Sequence, residues 1–492
     1  MQLAFYGAAR TVTGSQYLLT TDYGRLLIDC GMFQGSGHMR EQNRMDFHFN
    51  PAEIDHMLLT HAHIDHCGLL PRLVANGFNG RIFVTEPTAD LAEIMLLDSA
   101  HIQEEDAEYD RRKWQKHGHI GPPPQPLYTT ADVQPALSLM RPVAYDEMVQ
   151  IAPGLRARFR DAGHILGSAI IELWVGEGDD QTKLVFSGDV GRKDQPLLRD
   201  PATIADADYL VIESTYGNRL HAPIQEQETD FARIVENVIR RRAHLVIPAF
   251  AVGRTQEVLY ELNLLVEGGR IRPVPVYLDS PLAIKATEIV RDHRECFDAE
   301  ALVLLAKGDQ PTDFPGLQST QSVEESKAIN TMRGPFIVIS ASGMCTAGRI
   351  RHHLRNHLPH PDDTVLLIGF QAAGTLGRLL QEGIERVKLF GEWHPVAAQI
   401  KTLTGFSAHA DLPELLEWAA GIKGVKAVFV THGEEEAGLD FAATLHHKLG
   451  LTSYVPEAEF VADLGAEEPL AEYGQELAET WQRPPSQAEL TL

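Results

Sequence analysis

Cysteine is scarce in this chain. Only Cys30, Cys67, Cys296 and Cys345 occur in 492 residues, far apart and in no framework. A small disulfide-built domain is excluded, and a reducing, cytoplasmic location is the expectation. No apolar run reaches the roughly 20 residues of a membrane-spanning helix, so no membrane partner is expected. The first residues, Met1-Gln2-Leu3-Ala4-Phe5-Tyr6-Gly7, lack a basic segment followed by a long apolar one and read as a strand rather than a leader. Basic residues are also in deficit: 43 Lys and Arg against 68 Asp and Glu give a formal net charge of −25. This argues against a protein that binds nucleic acid through an overall positive coat. It leaves a nuclease open, because bound cations carry charge that the count omits, and a local basic groove can coexist with an acidic exterior.

The chain is not short of apolar residues, at 44%, and its length implies two domains. Its densest chemistry is the stretch Thr60-His61-Ala62-His63-Ile64-Asp65-His66. An apolar run, Met57-Leu58-Leu59, leads in as a buried strand, and Leu69 to Val74 leads out as a helix. His61 and His63 are two apart and project the same way from extended backbone. Neutral imidazole is the commonest ligand for zinc, and sites of His and carboxylate are more often catalytic than structural. Asp65 and His66 fall where the chain turns into helix and can face a second ion beside the first.

The same arrangement recurs along the chain. Arg156–Arg160 leads to Asp161-Ala162-Gly163-His164, and Lys183–Phe186 leads to Ser187-Gly188-Asp189. Tyr209–Ile212 leads to Glu213, and Ala427–Val430 leads to Thr431-His432. Arg25–Ile28 ends in Asp29. Each apolar run stops where a potential ligand or acid–base group begins. Strand ends suit a site, since a rigid sheet holds residues distant in sequence close in space.

Residues 216–391 read differently, as apolar runs alternating with helical stretches, the pattern of a parallel α/β sheet covered on both faces. Ligand-like residues resume after it, so it reads as an insertion. Within it, Ser340-Ala341-Ser342-Gly343-Met344-Cys345-Thr346-Ala347-Gly348-Arg349 follows a strand and precedes a basic helix. Main-chain N–H groups of such a turn and of the helix start, with nearby Arg349 and Arg351, can cradle an anion. Gly253-Arg254 and Gly377-Arg378 repeat the theme. Residues 459–492 are acidic, lack a strong core pattern and are expected to form a partly ordered extension.

His-x-His-x-Asp-His, with His164, Asp189, Glu213, the stretch Ser407-Ala408-His409 and His432, resembles the β-CASP family of the metallo-β-lactamase superfamily. The resemblance covers roughly residues 1–458. It implies an α/β fold, a metallo-β-lactamase αββα sandwich with an inserted β-CASP α/β domain. The boundaries expected are 1–215 and 392–458 for the sandwich, 216–391 for the insertion and 459–492 for the extension.

It also implies two zinc ions, with manganese accepted by the same donors. His61, His63 and His164 would hold one, Asp65, His66 and His432 the other, and Asp189 would bridge them. Asp29 would orient ligands, and Glu213 with His409 would form a general-acid pair. Ser342, Gly343, Gly348, Arg349, Arg254 and Arg378 would meet substrate. The implied activity is hydrolysis of single-stranded RNA by a hydroxide activated by two metals, in the cleft between the two domains. His at the position of His432 goes with the RNA-processing branch, where the DNA-processing branch has Val. The alternative is a two-zinc hydrolase of a small ester, thioester or lactam. A homodimer is left open.

Overall fold

The computed structural model describes residues 1–35, 37–116, 121–178, 180–369, 371–372, 374–403, 405–466, 470 and 474–491. The chain forms two compact units. The first is Met1–Lys193, Asp200–Leu220 and His409–Leu492; the second is Asp194–Arg199 and His221–Ala408.

The first unit holds two seven-stranded sheets. One runs in the order Phe460–Asp463, Gln2–Gly7, Gln16–Thr21, Gly24–Ile28, His56–Leu58, Arg81–Thr85, Met140–Val143. The other runs Ser453–Tyr454, Ala427–Thr431, Tyr209–Glu213, Thr182–Phe186, Ala169–Val175, Leu155–Asp161, Met148–Ala152. Phe5, Leu19 and Leu26 of the first sheet share a core with Phe159, Ile171, Phe186 and Phe429 of the second. Full burial of each such side chain contributes about 1.5–3 kcal/mol. Side chains alternate across a strand, so Leu210, Ile212, Val428 and Val430 face away from that core. They pack with Leu412, Leu415 and Trp418 of one helix and Phe441 and Leu445 of another. Helix Glu86–Lys116 packs on Arg81–Thr85 and Met140–Val143 of the other sheet. This is the expected αββα sandwich.

The second unit is built on a six-stranded, wholly parallel sheet ordered Leu317–Ser319, Val276–Leu278, Phe336–Ser340, His244–Pro248, Thr364–Ile368, Gln399–Leu403. Its central strands, His244–Pro248 and Phe336–Ser340, are mostly apolar and almost wholly buried because both faces are covered. Leu245 and Ile247 join Phe231, Val235 and Leu259 on one side, and Val246 joins Ile350 and Leu354 on the other.

Two features differ from the sequence expectation. Gln399–Leu403 is the edge strand of the inserted sheet, and the first unit resumes at His409 rather than at 392. Residues after 459 are no appendage: Phe460–Asp463 pairs antiparallel with Gln2–Gly7, and Leu470 and Leu477 enter the core between the sheets. Among the described residues, no helix is long and apolar enough to cross a membrane.

Candidate metal centre

Strand direction assembles the site. Thr182–Phe186, Tyr209–Glu213 and Ala427–Thr431 are mutually parallel, so their C-terminal ends share one edge. Asp189 follows the first, Glu213 ends the second and His432 follows the third. In the other sheet, Gly24–Ile28 and His56–Leu58 are parallel, which brings Asp29 beside the loop carrying His61 and His63. Asp65 and His66 lie on the short helix Ile64–Cys67, and His164 lies between Leu155–Asp161 and Ala169–Val175.

The seven candidate ligands form two adjoining groups. His63 Nδ1 lies 3.1 Å from His61 Nε2 and 3.2 Å from His164 Nε2. Asp189 Oδ2 faces this group, 3.4 Å from His61 Nε2 and 3.5 Å from His164 Nε2. In the second group, His66 Nε2 lies 3.1 Å from His432 Nε2, which is 3.6 Å from Asp65 Oδ2. Asp189 Oδ1 faces this group at 3.4 Å from His66 Nε2 and 3.5 Å from His432 Nδ1. That oxygen is buried and accepts no hydrogen bond among the described residues. A buried carboxylate oxygen without a donor is costly unless something else neutralises it. Imidazoles converging nitrogen to nitrogen, with an unmet carboxylate beside them, fit a cation, and His with carboxylate suits zinc or manganese.

The surrounding residues hold the candidate ligands in place. Asp29 Oδ2 accepts from His66 Nδ1 at 2.7 Å and from Thr60 Oγ1 at 2.8 Å, while Asp29 Oδ1 accepts from the Thr60 N–H at 2.8 Å. A His66 that donates from Nδ1 presents the lone pair of Nε2 to the site. Burial lowers the proton affinity of His66, but Asp189 and Asp29 outweigh it and raise its pKa well above the usual value. Burial, with the charge of neighbouring His66, pushes His61 well down; burial takes His63 down to about 4 against the opposing carboxylates. Thr215 Oγ1 lies 3.1 Å from His432 Nδ1 and donates to the His432 carbonyl at 3.0 Å. Thr60 and Thr215 escaped the sequence reading. Their one signal is position, near a strand end, with Thr60 directly before His61 and Thr215 two residues after Glu213.

Glu213 is buried, accepting from the Val190 N–H at 2.7 Å and the Thr215 N–H at 3.2 Å. His409 Nδ1 lies 3.1 Å and 3.2 Å from its two oxygens and 4.0 Å from Asp189 Oδ2. Burial opposes protonation of His409; the charge and hydrogen bond of Glu213, helped by Asp189 and Asp65, raise its pKa to about 9. Bound cations would reduce the share owed to Asp189 and Asp65.

The candidates in the insertion are placed otherwise. Ser342, Gly343, Gly348 and Arg349 lie between strand Phe336–Ser340 and helix Ile350–His357. Ser342 Oγ accepts from the N–H groups of Thr346 and Ala347 at 3.1 Å and 3.2 Å. Arg349 donates to Asp279 at 2.7 Å and to the carbonyls of Thr320 and Gln321 at 3.1 Å and 2.6 Å. Arg254 is buried against Glu257, and Arg378 donates to Glu382 at 2.6 Å. Arg349 and Arg254 are thus engaged by their own chain, whereas Arg378 gives Glu382 only its Nε–H and its side chain is 38% exposed.

Three family models match the chain: the metallo-beta-lactamase superfamily over residues 9–128, the Beta-Casp domain over 255–380, and a Zn-dependent metallo-hydrolase RNA specificity domain over 393–456. Ribonuclease TTHA0252 of Thermus thermophilus is 38% identical over 436 residues, 89% of this chain and 94% of that protein. The chain belongs to the β-CASP family of metallo-β-lactamases. An RNase J-like protein of Methanocaldococcus jannaschii is 30% identical over 457 residues, covering 92% of this chain and 97% of the relative. Transcription termination factor FttA of Methanosarcina mazei is 32% identical over 459 residues, 90% of this chain and 68% of that protein. As a β-CASP protein, the chain is a metal-dependent hydrolase of a zinc-dependent family.

Proposed function

We propose that this β-CASP enzyme is a zinc-dependent ribonuclease that hydrolyses phosphodiester bonds of single-stranded RNA. The observation that carries the reading is Asp189, which directs one oxygen to each of two histidine-rich groups. His61, His63 and His164 would hold one zinc, Asp65, His66 and His432 the other, and Asp189 would serve both; manganese suits the same donors. When bound, two ions at such a site lower the pKa of water and offset charge on a phosphoryl group.

The remaining work falls to side chains. Asp29 keeps the proton of His66 on Nδ1. Thr215 fixes the ring of His432. Glu213 holds Nδ1–H of His409, so that Nε2–H can be given to the oxygen that leaves when the P–O bond breaks. The carboxylate stabilises the imidazolium before the transfer and orients it throughout. RNA as substrate draws on the names of the relatives, a ribonuclease and an RNase J-like protein, and on the RNA specificity model over residues 393–456.

The test is His409→Ala assayed on end-labelled RNA with metal analysis of the same sample. Zinc content should match the native protein while turnover falls by roughly 10²–10⁴-fold. Loss of zinc with turnover would make His409 a ligand rather than an acid, and unchanged turnover would remove it from the reaction.

A further inference from the structure

Strands Arg386–Leu389 and Glu392–Pro395 form a hairpin in the second unit that turns on Phe390 and Gly391, with φ of 51° and 87°. Turns with positive φ at both central positions favour Asn, Asp and Gly. A bulky residue there is disfavoured, and Phe390 is 44% exposed, so neither backbone geometry nor burial accounts for it. Its ring does have neighbours. The guanidinium groups of Arg351 and Arg355 lie 4.9 Å and 5.5 Å from its centroid, and His352 stacks on it at 4.4 Å.

The hairpin carries a second such pair. Trp393 is 59% exposed, with the Arg386 guanidinium 4.9 Å from its ring and Lys388 opposite it across the ladder. Glu392 pairs with Leu389, on the other side of the pleat from Lys388 and Trp393.

None of Arg351, Arg355, Arg386 and Lys388 has a carboxylate partner among the described residues. Arg349, Arg254 and Arg378 all do. Burial lowers the proton affinity of His352, and Arg355, His353, Arg351 and Lys327 press it the same way, so cations converge on this face of helix Ile350–His357. In a chain of net charge −25, such a group stands against the general balance.

We propose that Arg351, Arg355, Phe390, Arg386, Lys388 and Trp393 form a binding surface for single-stranded RNA, built from residues that are no part of the metal centre. The cations would meet phosphates and the two rings would stack on bases, a combination that suits single strands and tolerates any sequence. The inference rests on the ribonuclease reading and extends it to how substrate is held. Charge complementarity also fits the acidic exterior of a second copy of this chain, which the test separates.

Two variants of the full chain probe the surface: Arg351→Gln with Arg355→Gln, and Phe390→Gly with Trp393→Ala. Glycine suits the turn at 390, so the second variant keeps the hairpin. KM for single-stranded RNA should rise about tenfold in each, the scale of losing aromatic or cationic contacts to a few nucleotides, with kcat and zinc content unchanged. Dissociation constants measured in a His409→Ala background should rise in parallel. In the arginine variant, the slope of log affinity against log salt should flatten by roughly 0.7 per cation removed. Unchanged KM and salt slope in variants whose native form cleaves RNA would overturn the surface while leaving the ribonuclease reading intact. Unchanged RNA affinity with altered sedimentation would assign the surface to a second copy and also overturn it. A native protein that neither binds nor cleaves RNA would fail the ribonuclease reading first, and the surface with it.

Discussion

Asp29 lies behind His66 rather than among the candidate ligands, and its effect is to decide which nitrogen of His66 carries the lone pair. Asp29→Ala should leave the fold in place and lower zinc affinity by about 10–100-fold, read as zinc retained during titration with a chelator. Zinc retention equal to the native protein would show that His66 is oriented without it. The candidate ligands stand out in the sequence because most combine a metal-binding side chain with a strand end, and His61, His63, Asp65 and His66 crowd into six positions. Thr60 and Thr215 do not. A threonine near a strand end is ordinary, and only the folded backbone shows its hydroxyl reaching Asp29 or the His432 ring. Arg349 marks the opposite case: a Gly–Arg turn after a strand has the form of an anion site, yet Asp279, 70 residues earlier, holds the guanidinium.

At the scale of elements, close contact between loops sets the positions of the candidate ligands. A Cβ on Gly191 would lie 2.0 Å from the carbonyl oxygen of Gly163, next to His164. Gly191→Ala should therefore displace the His164 loop, reducing zinc content and lowering the unfolding temperature; normal zinc content would mean the loops yield without disturbing the ligand.

Asp279 joins several elements of the inserted sheet. It accepts from His353 and Ser326 at 2.6 Å and from Thr320 and Arg349 at 2.7 Å. Burial raises its pKa, but those four partners outweigh burial and hold it well below the usual carboxylate range. Removing one partner of such a buried network costs about 3–5 kcal/mol, so Asp279→Ala should destabilise the protein on that scale in denaturant unfolding. Because the folded pKa is depressed, the stabilisation is complete above the unfolded value of about 3.9 and fades as pH falls below it. The difference between native and variant should thus be constant near neutrality and narrow below about pH 4. A difference that grows in acid would contradict this assignment. The βα alternation that announced this sheet was legible because four of its strands carry short apolar runs separated by helical stretches. The last strand, Gln399–Leu403, was missed because it is an edge strand with exposed Lys401, without that continuous apolar signal.

For the whole molecule, the acidic tail is part of the fold. Its apolar residues are sparse, so composition suggests an extension, but Leu470 and Leu477 are buried between the sheets and Phe460–Asp463 completes an edge. Burial of each such side chain contributes about 1.5–3 kcal/mol. Truncation after residue 458 should lower the unfolding temperature and solubility, and an unchanged melting curve would show the tail to be dispensable.

The proposed function requires the two histidine groups around Asp189 to act together on RNA. The most direct measurement incubates metal-analysed protein with end-labelled single-stranded RNA and DNA of one sequence, beside the Asp65→Ala variant. Close to two zinc ions per native chain are expected, with RNA cleavage that disappears in the variant together with part of the zinc. Intact RNA at full zinc occupancy, or cleavage that survives Asp65→Ala, would contradict the proposed function.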